Sequence, residues 1–330
     1  MSRPSVSVVI PVRNESAAVG MAVASALAQD YGGPLEVVVA DGMSTDGTRD
    51  LLESFTGDTR VRIVDNPAGT TSAALNVAVA ASMGEVIVRC DAHSVLPPGY
   101  VAAAVARLEA EDAAVVGGIQ EAVGEGPFSR AVAYAMASPL GAGGAAYRSS
   151  GTAGATDTVY LGVFRREALA AVGSFDESLL RNQDYELNYR IRRSGRLVYL
   201  DPSLRVRYLP RSRPGPLWRQ YFGYGTWKRV VIRRSPGSLR ARQAAAPLLV
   251  VGLGASAVAA FTPLAPLSLV VPGAYGAAVV AAAIGAAISR RDPAGLLLTV
   301  ALPTMHLAWG SGFLLGRAKA APPRVGRLDR

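Results

Sequence analysis

The chain has 330 residues, one cysteine, two histidines and a formal net charge of +9, and half of its residues are hydrophobic. That length buries a sizeable core in one large or two smaller domains, and the lone Cys90 with two histidines excludes both a disulfide framework and a cysteine/histidine zinc cluster. The charge is divided: residues 1–180 carry 11 Lys and Arg against 20 Asp and Glu, residues 181–243 carry 16 against 3, and residues 244–330 carry 7 against 2. The basic middle zone next to apolar sequence points to the anionic face of a membrane; no nucleic-acid motif accompanies it, so nucleic acid is not expected as a partner.

The start, Met1-Ser-Arg-Pro, has no apolar h-region, so no cleavable signal peptide is expected and the amino terminus is expected in the cytoplasm. Strand and helix patterns then alternate. "SVSVVIPV" reads as a strand and "ESAAVGMAVASALAQ" as a helix; "LEVVVAD" is a strand and "STDGTRDLLESF" a capped helix. "VRIVDN", "EVIVRCD" and "AAVVGGIQ" are strands, with helices "TTSAALNVAVAAS" and "PGYVAAAVARLEA" between them. This is an α/β chain, expected to form a Rossmann-like, mostly parallel sheet with helices on both faces. Ligands of such sheets bind beyond the carboxyl ends of the strands. Polar groups stand at four of those ends: Asn14-Glu15, Asp41-Gly42, Asp65-Asn66 and Asp91-Ala92-His93. The layout also suits an NAD-dependent dehydrogenase, but the first turn reads "PVRNES" and lacks the G-x-G-x-x-G cradle for a pyrophosphate. Cys90, inside a strand, reads as core.

The ordered set "VSVVIPVRNE", "VVVADGMSTDGT", "NPAGTTSAALNVAVAAS", "VIVRCDAH" and "GSFDESLLRNQDYELNYRIRRSG" resembles the motif series of family 2 glycosyltransferases with the GT-A fold, over roughly the first 200 residues. The "DTVYLGVFRRE" stretch and the apolar tail look most like exopolysaccharide glucosyltransferases of the succinoglycan type. The resemblance implies an inverting transfer of a hexose from a nucleotide diphosphate donor, UDP-glucose foremost, to a lipid-linked glycan acceptor. Negative charge develops on the departing diphosphate, and a divalent cation stabilises it. The D-x-D pair that would hold the cation reads Asp91 and His93 here. Imidazole suits Mn²⁺ better than Mg²⁺, which prefers an all-oxygen shell. The alternative for His93 is a surface histidine capping the loop before Pro97-Pro98.

By the same resemblance Asp41 hydrogen-bonds the uracil N–H, Glu15 and the backbone near Pro11 hold the nucleoside, and Asn66 and Asn76 face the diphosphate. Asn76 reads equally well as a polar helix-face residue. Met43 is an extra residue relative to the commoner D-G-S-T-D-G-T run, and Asp46 is better read as a helix cap than as a ligand. Asp184 corresponds to the general base of the E-D motif, with Gln183 where the family often has glutamate; its alternative role is stabilisation of a first helical turn. Glu186 is expected to support the site or pair with an arginine. Asp176-Glu177 reads as a turn before this helix. Asp157 contacts sugar hydroxyls or caps a turn. "GAGGAAYRSSGTAG", residues 141–154, is a lid or a disordered connector. A degenerate, non-catalytic nucleotide-sugar binder also fits the imperfect motifs.

The expected division is a catalytic domain over 1–210, a basic amphipathic collar over 211–243, membrane helices over 244–316 and a basic tail over 317–330. No charged residue occurs between Gln243 and Ser289. "PLLVVGLGASAVAAF", "PLSLVVPGAYGAAVVAAAIGAAI" and Gly295 to Leu315 each approach the ~20 residues that cross hydrocarbon. The arginines at 233–242 and 290–291 favour the cytoplasmic side. A third full crossing would place Arg317, Lys319, Arg324 and Arg327 outside against that bias, so either the third segment is re-entrant or interfacial or the tail breaks the bias; about three spans are expected. "PLWRQYFGYGTWKRVVIRR" alternates aromatics and cations as an interfacial helix does, or is a plain linker. Gln220, Tyr221 and Trp227 within it resemble the Q-x-x-R-W segment of processive synthases without its arginine–tryptophan pair, so processivity is not carried over. The expected location is the inner membrane, with the catalytic domain in the cytoplasm.

Overall fold

The computed structural model describes residues 3–148 and 151–318. In chain order the elements are β1 (Val6–Val12), α1 (Val19–Leu27), β2 (Leu35–Asp41), α2 (Thr48–Glu53), β3 (Val61–Asp65), α3 (Thr71–Ala81), β4 (Val86–Arg89), α4 (Tyr100–Ala110) and β5 (Val115–Ala122). There follow α5 (Pro127–Ala137), α6 (Pro139–Ala142), β6 (Gly154–Ala155), β7 (Tyr160–Arg165), α7 (Arg166–Val172), α8 (Gln183–Arg193) and β8 (Val198–Tyr208). The last helices are α9 (Pro214–Arg234), α10 (Ala245–Ala259), α11 (Val270–Arg290) and α12 (Leu298–Leu315). The chain divides into two compact units, one of residues 3–120 and 151–207, the other of 121–148 and 208–318 among the described residues.

The first unit is built on an eight-stranded sheet in the order β3-β2-β1-β4-β7-β5-β8-β6. The half β3-β2-β1-β4 is parallel, as the alternation of strands and helices predicts. From β7 onward the sheet is mixed: β7 runs antiparallel to both β4 and β5, and β6 antiparallel to β8. Every residue of β1 is buried, as a strand covered on both faces requires. Val8, Ile10, Val37, Val39 and Val88 join Ala22, Val23 and Val101 of the flanking helices in one core. Pro11 sits near the end of a central strand, where a missing N–H is normally costly. It is tolerated because the β1–β4 ladder stops at Val9 paired with Arg89. The chain leaves β1 towards β2 on one side and returns to β4 on the other. That reversal opens the strand ends of β1, β2 and β4 into a crevice, the place where such sheets take ligands.

In the second unit α9 lies along α12. Gly225 and Gly312 allow the close approach: a Cβ at the first would strike the Trp309 carbonyl, and at the second the Phe222 carbonyl. Thr226 Oγ1 donates to the Gly312 carbonyl at 3.2 Å, and Arg229 donates to the carbonyls of Leu314, at 2.7 Å, and of Gly316. These arginine bonds satisfy carbonyls that a helix end leaves open. Asp292, between α11 and α12, takes Arg130 Nε at 2.8 Å and the Tyr134 hydroxyl at 2.5 Å. Among the described residues three helical segments are long and apolar enough to cross a membrane: Ala241–Ala259, Ala265–Arg290 and Pro293–Leu315. The first two turn Leu248, Val258, Leu269 and Ile288 outward, which fits lipid contact. The third is more enclosed by protein, 39% buried against 11% for each of the others. The expected collar is mostly the single helix α9, whose Tyr221, Trp227 and Val231 are buried. The lid or connector over 141–154 includes residues 149–150, and the basic tail includes 319–330, which lie outside the described residues.

Candidate active site

The first two strand ends are clasped to each other. Asn14 has φ +54° and Met43 φ +58°, left-handed conformations that cost a non-glycine residue energy. The residue inserted at Met43 is thus accommodated by a strained turn. Its neighbour Ser44 donates its hydroxyl to Asp41 at 2.6 Å and receives the Asn14 N–H at 2.9 Å; Asn14 Oδ1 in turn accepts from Thr45 N at 2.9 Å. Asp46 accepts from Thr48 Oγ1 at 2.5 Å, Thr48 N at 3.1 Å and Ser16 N at 3.2 Å. The Thr48 hydroxyl above all lowers its pKa to about 2. Asp46 therefore pins the first turn of α2, although Gly47 is the residue at the cap position itself. Asp41 is 2% exposed, with Arg49 3.8 Å away. The backbone N–H of Asn66 reaches the Asp41 carbonyl at 2.8 Å, and the Asn66 amide donates to the Thr70 carbonyl at 3.0 Å. Asn66 Oδ1 is buried with no hydrogen-bond partner. Left unpaired such a group is costly, so this acceptor is open to any donor that reaches the strand ends.

At the fourth strand end stands a residue the sequence reading did not single out. Arg89, last in β4, has a side chain 7% exposed. It donates from Nε at 2.9 Å and Nη2 at 2.8 Å to Asp91 Oδ1, and from Nη1 to Asp184 Oδ1. One buried guanidinium thus joins the expected metal ligand to the expected base. Burial opposes its charge, but Asp184 and Asp91 outweigh that and raise its pKa. A third of the Asp184 side chain meets solvent, at 35% exposure, even though protein packs round most of its carboxyl group. Burial pushes the Asp184 pKa above the usual carboxylate range, Arg89 pulls it back, and Asp91 adds to the rise. The available signal was a cation ending the otherwise wholly apolar, buried stretch "VIVR".

His93 is half exposed, with Nδ1 3.8 Å from Glu15 Oε1. The structure therefore brings Glu15 to His93, and Asp91 to Asp184. Among the described residues no three His, Cys, Asp or Glu form a group able to hold a metal by themselves. Asp91 Oδ2 carries no hydrogen bond and the His93 imidazole is accessible, so one oxygen and one nitrogen are on offer. That incomplete mixed set fits a divalent cation whose remaining positions are filled by phosphate oxygens and water.

Asn76 is not turned to this crevice. Its Nδ2 donates to the Phe175 carbonyl and Glu177 Oε1, both at 2.9 Å, and its Oδ1 accepts from Ser174 Oγ at 2.9 Å and Phe175 N at 3.0 Å. Ser72 Oγ donates to the Leu179 carbonyl at 2.8 Å. Both residues hold α3 to the 174–179 turn, which leads into α8 and Asp184. Glu186 pairs with Arg190 at 2.7 Å, and Asp157 is buried. Cys90 is fully buried, and burial drives its thiol pKa up, so it is no nucleophile.

A mixed sheet, parallel over β3-β2-β1-β4, with two carboxylates linked through Arg89 and an accessible imidazole at its strand ends fits a glycosyl-transfer enzyme of the GT-A type. Residues 7–173 match the family model "Glycosyl transferase family 2", and the chain belongs to that family and is a glycosyltransferase. It is 36% identical over 283 residues to the succinoglycan biosynthesis protein ExoA of Rhizobium meliloti (strain 1021), covering 84% of each chain. It is 23% identical over 239 residues, 69% of this chain and 74% of the relative, to a dolichyl N-acetyl-alpha-D-glucosaminyl phosphate 3-beta-D-2,3-diacetamido-2,3-dideoxy-beta-D-glucuronosyltransferase of Methanococcus voltae. The mannosyltransferase PcManGT of Pyrobaculum calidifontis, solved with GDP-Man and Mn²⁺, matches at TM-score 0.64 and 21% identity, over 96% of this chain and 89% of that one. S. aureus TarS 1–349 with UDP matches at TM-score 0.50 and 17% identity, over 94% and 90%. At such identities these two structures bear on the fold alone.

Proposed function

We propose that the chain transfers a hexose with inversion from a UDP-linked donor, UDP-glucose foremost, to a lipid-linked glycan in polysaccharide biosynthesis. The observation that carries this reading is the Asp91–Arg89–Asp184 bridge at the crevice. The relation to the succinoglycan protein supports the polysaccharide context. Asp41 and the open Asn66 acceptor take the nucleoside, with Glu15 and the Pro11 backbone beside them. Asp91 and His93 hold Mn²⁺ in preference to Mg²⁺, and the cation, when bound, neutralises charge on the diphosphate. Asp184 keeps one oxygen on Arg89 and has the other for chemistry. It takes the acceptor O–H proton as that oxygen bonds to the anomeric carbon; the bond from that carbon to the diphosphate breaks, and UDP leaves with the electron pair. The three apolar helices support a location in the inner membrane, with the catalytic unit on the cytoplasmic side, where a lipid-held acceptor would be met.

Asp184→Asn tests the reading. Transfer of labelled glucose should fall by about 10²–10⁴, the usual worth of a general base, while UDP binding by calorimetry stays near wild type. Turnover within about tenfold of wild type would remove Asp184 from that role. A wild-type chain that binds UDP-sugar yet turns over none of UDP-glucose, UDP-galactose or GDP-mannose would favour the non-catalytic binder.

A further inference from the structure

Among the described residues of the second unit, Arg148 is a cation drawn into the protein with no carboxylate partner. Arg148 is half-buried and donates from Nη1 to the Tyr221 hydroxyl at 3.1 Å. Its guanidinium carbon lies 5.4 Å from the Tyr147 ring centre and 6.0 Å from that of Tyr221. Its Nε is buried without a partner, and among the described residues no carboxylate pairs with it. Acids are scarce here: residues 121–148 and 208–318 hold fourteen Lys and Arg against three Asp and Glu. Asp292, one of the three, is already taken by Arg130 and Tyr134.

The groups around Arg148 are donors too. Gln220 Nε2 donates to the Tyr208 hydroxyl at 2.8 Å and to the Tyr224 hydroxyl at 2.9 Å. The Tyr208 oxygen is thus used as an acceptor, and its own hydrogen is directed elsewhere. Burial raises the Tyr208 pKa, and raises Tyr221 to about 12, so both phenols stay protonated and able to donate. Arg211 lies close enough to Tyr208 to act on it electrostatically. Cation–π contact is weaker than an ion pair, so two tyrosine rings compensate only part of what the guanidinium loses on leaving water.

We propose that Arg148, Tyr208 and Tyr221 form an anion site for the phosphate of the lipid-linked acceptor. A planar guanidinium fork beside phenolic donors, with no carboxylate to compete, matches an oxyanion that has several acceptor oxygens. The lipid source follows from the location: Tyr221 belongs to α9, which packs along α12, and the same unit carries the three helices that, among the described residues, are long and apolar enough to cross a bilayer. The proposed donor-binding groups, Asp41, Asn66 and Asp91, all belong to the other unit. The assignment rests on the lipid-linked acceptor proposed above.

The test is calorimetry on the full chain in detergent, in EDTA and without nucleotide sugar, using farnesyl diphosphate, farnesol and inorganic pyrophosphate as probes. Farnesyl diphosphate should bind, farnesol should not, and pyrophosphate should bind more weakly. Arg148→Gln should weaken farnesyl diphosphate about tenfold or more, as loss of a charged donor does, and Tyr208→Phe should weaken it severalfold with its ring kept. UDP binding should be unchanged in both. Equal affinity of wild type and both variants overturns the site, as does farnesol binding as tightly as its diphosphate. Pyrophosphate binding as tightly as farnesyl diphosphate, with the same dependence on Arg148, overturns the lipid source. Should Arg148→Gln not fold, Tyr208→Phe decides. Because no donor is present, an Asp184→Asn enzyme that still turned over would sink the transfer mechanism without touching this readout.

Discussion

Replacing Arg89 by Gln removes the cation that joins the two carboxylates of the crevice while keeping most of its volume. Breaking a buried ion pair by deleting one partner costs about 3–5 kcal/mol, because the remaining charge is left uncompensated. Here Asp91 is 18% and Asp184 35% exposed, so water takes over part of the work. A loss of about 1–3 kcal/mol is expected once that screening is allowed for. In a thermal melt this is a drop of several degrees, at about 2–4 °C per kcal/mol for a unit of this size. The sign with pH follows from Asp184, whose pKa already lies above the usual carboxylate range through burial, with Arg89 the opposing influence. Removing Arg89 raises it further. A carboxyl with a folded pKa above its unfolded value favours the folded state in its protonated form, and that contribution is lost as pH rises through the folded pKa. The variant should therefore be most destabilised at neutral and alkaline pH and least in acid. The proposed base, Asp184, would then be ionised only at higher pH, so the acid limb of kcat/KM should move to higher pH. Arg89→Lys, which keeps the charge, should recover part of both effects. A melt unchanged at pH 8, or an acid limb that stays in place, would refute the bridge as the device that holds the base.

Three further outcomes are expected. His93→Ala should weaken UDP binding in Mn²⁺ and leave it unaltered in EDTA; full wild-type activity in EDTA would reject metal dependence altogether. Asn76→Ala should cost about 1–3 kcal/mol of stability through its lost buried hydrogen bonds, with UDP affinity intact; the reverse pattern would return Asn76 to the diphosphate. Ala318→Cys, in cells whose native Cys90 is buried and silent, should react with an impermeant maleimide only after permeabilisation. The enclosed α12 lies beside a helix carrying Lys228, Arg229, Arg233 and Arg234, whose cations resist hydrocarbon. Labelling of intact cells would mean that α12 crosses fully.

How far the sequence spoke depended on whether a residue's work is local. The parallel half of the sheet was legible because an apolar strand followed by an amphipathic helix has few other ways to bury itself. The strand-end acids were legible for the same reason: a charge at the mouth of a buried strand is an exception in its own neighbourhood. The antiparallel β7 was not, since strand direction relative to neighbours is set by the connection and leaves no mark in a run such as "YLGVF". Asn76 and Arg89 show the sharper limit. Each is one polar side chain on an otherwise apolar element, and spacing does not tell whether it faces a ligand or a distant loop. Asn76 meets residues 174–177, about a hundred positions on, and Arg89 meets Asp184, ninety-five positions on. What the sequence does carry in such cases is the anomaly itself. A guanidinium ending "VIVR" inside a sheet must be compensated by acids, and the two that compensate it, Asp91 and Asp184, are those proposed for the chemistry. The same logic separates Arg89 from Arg148: the first is held by two carboxylates, while the second has none among the described residues, and on that difference the proposed anion site rests.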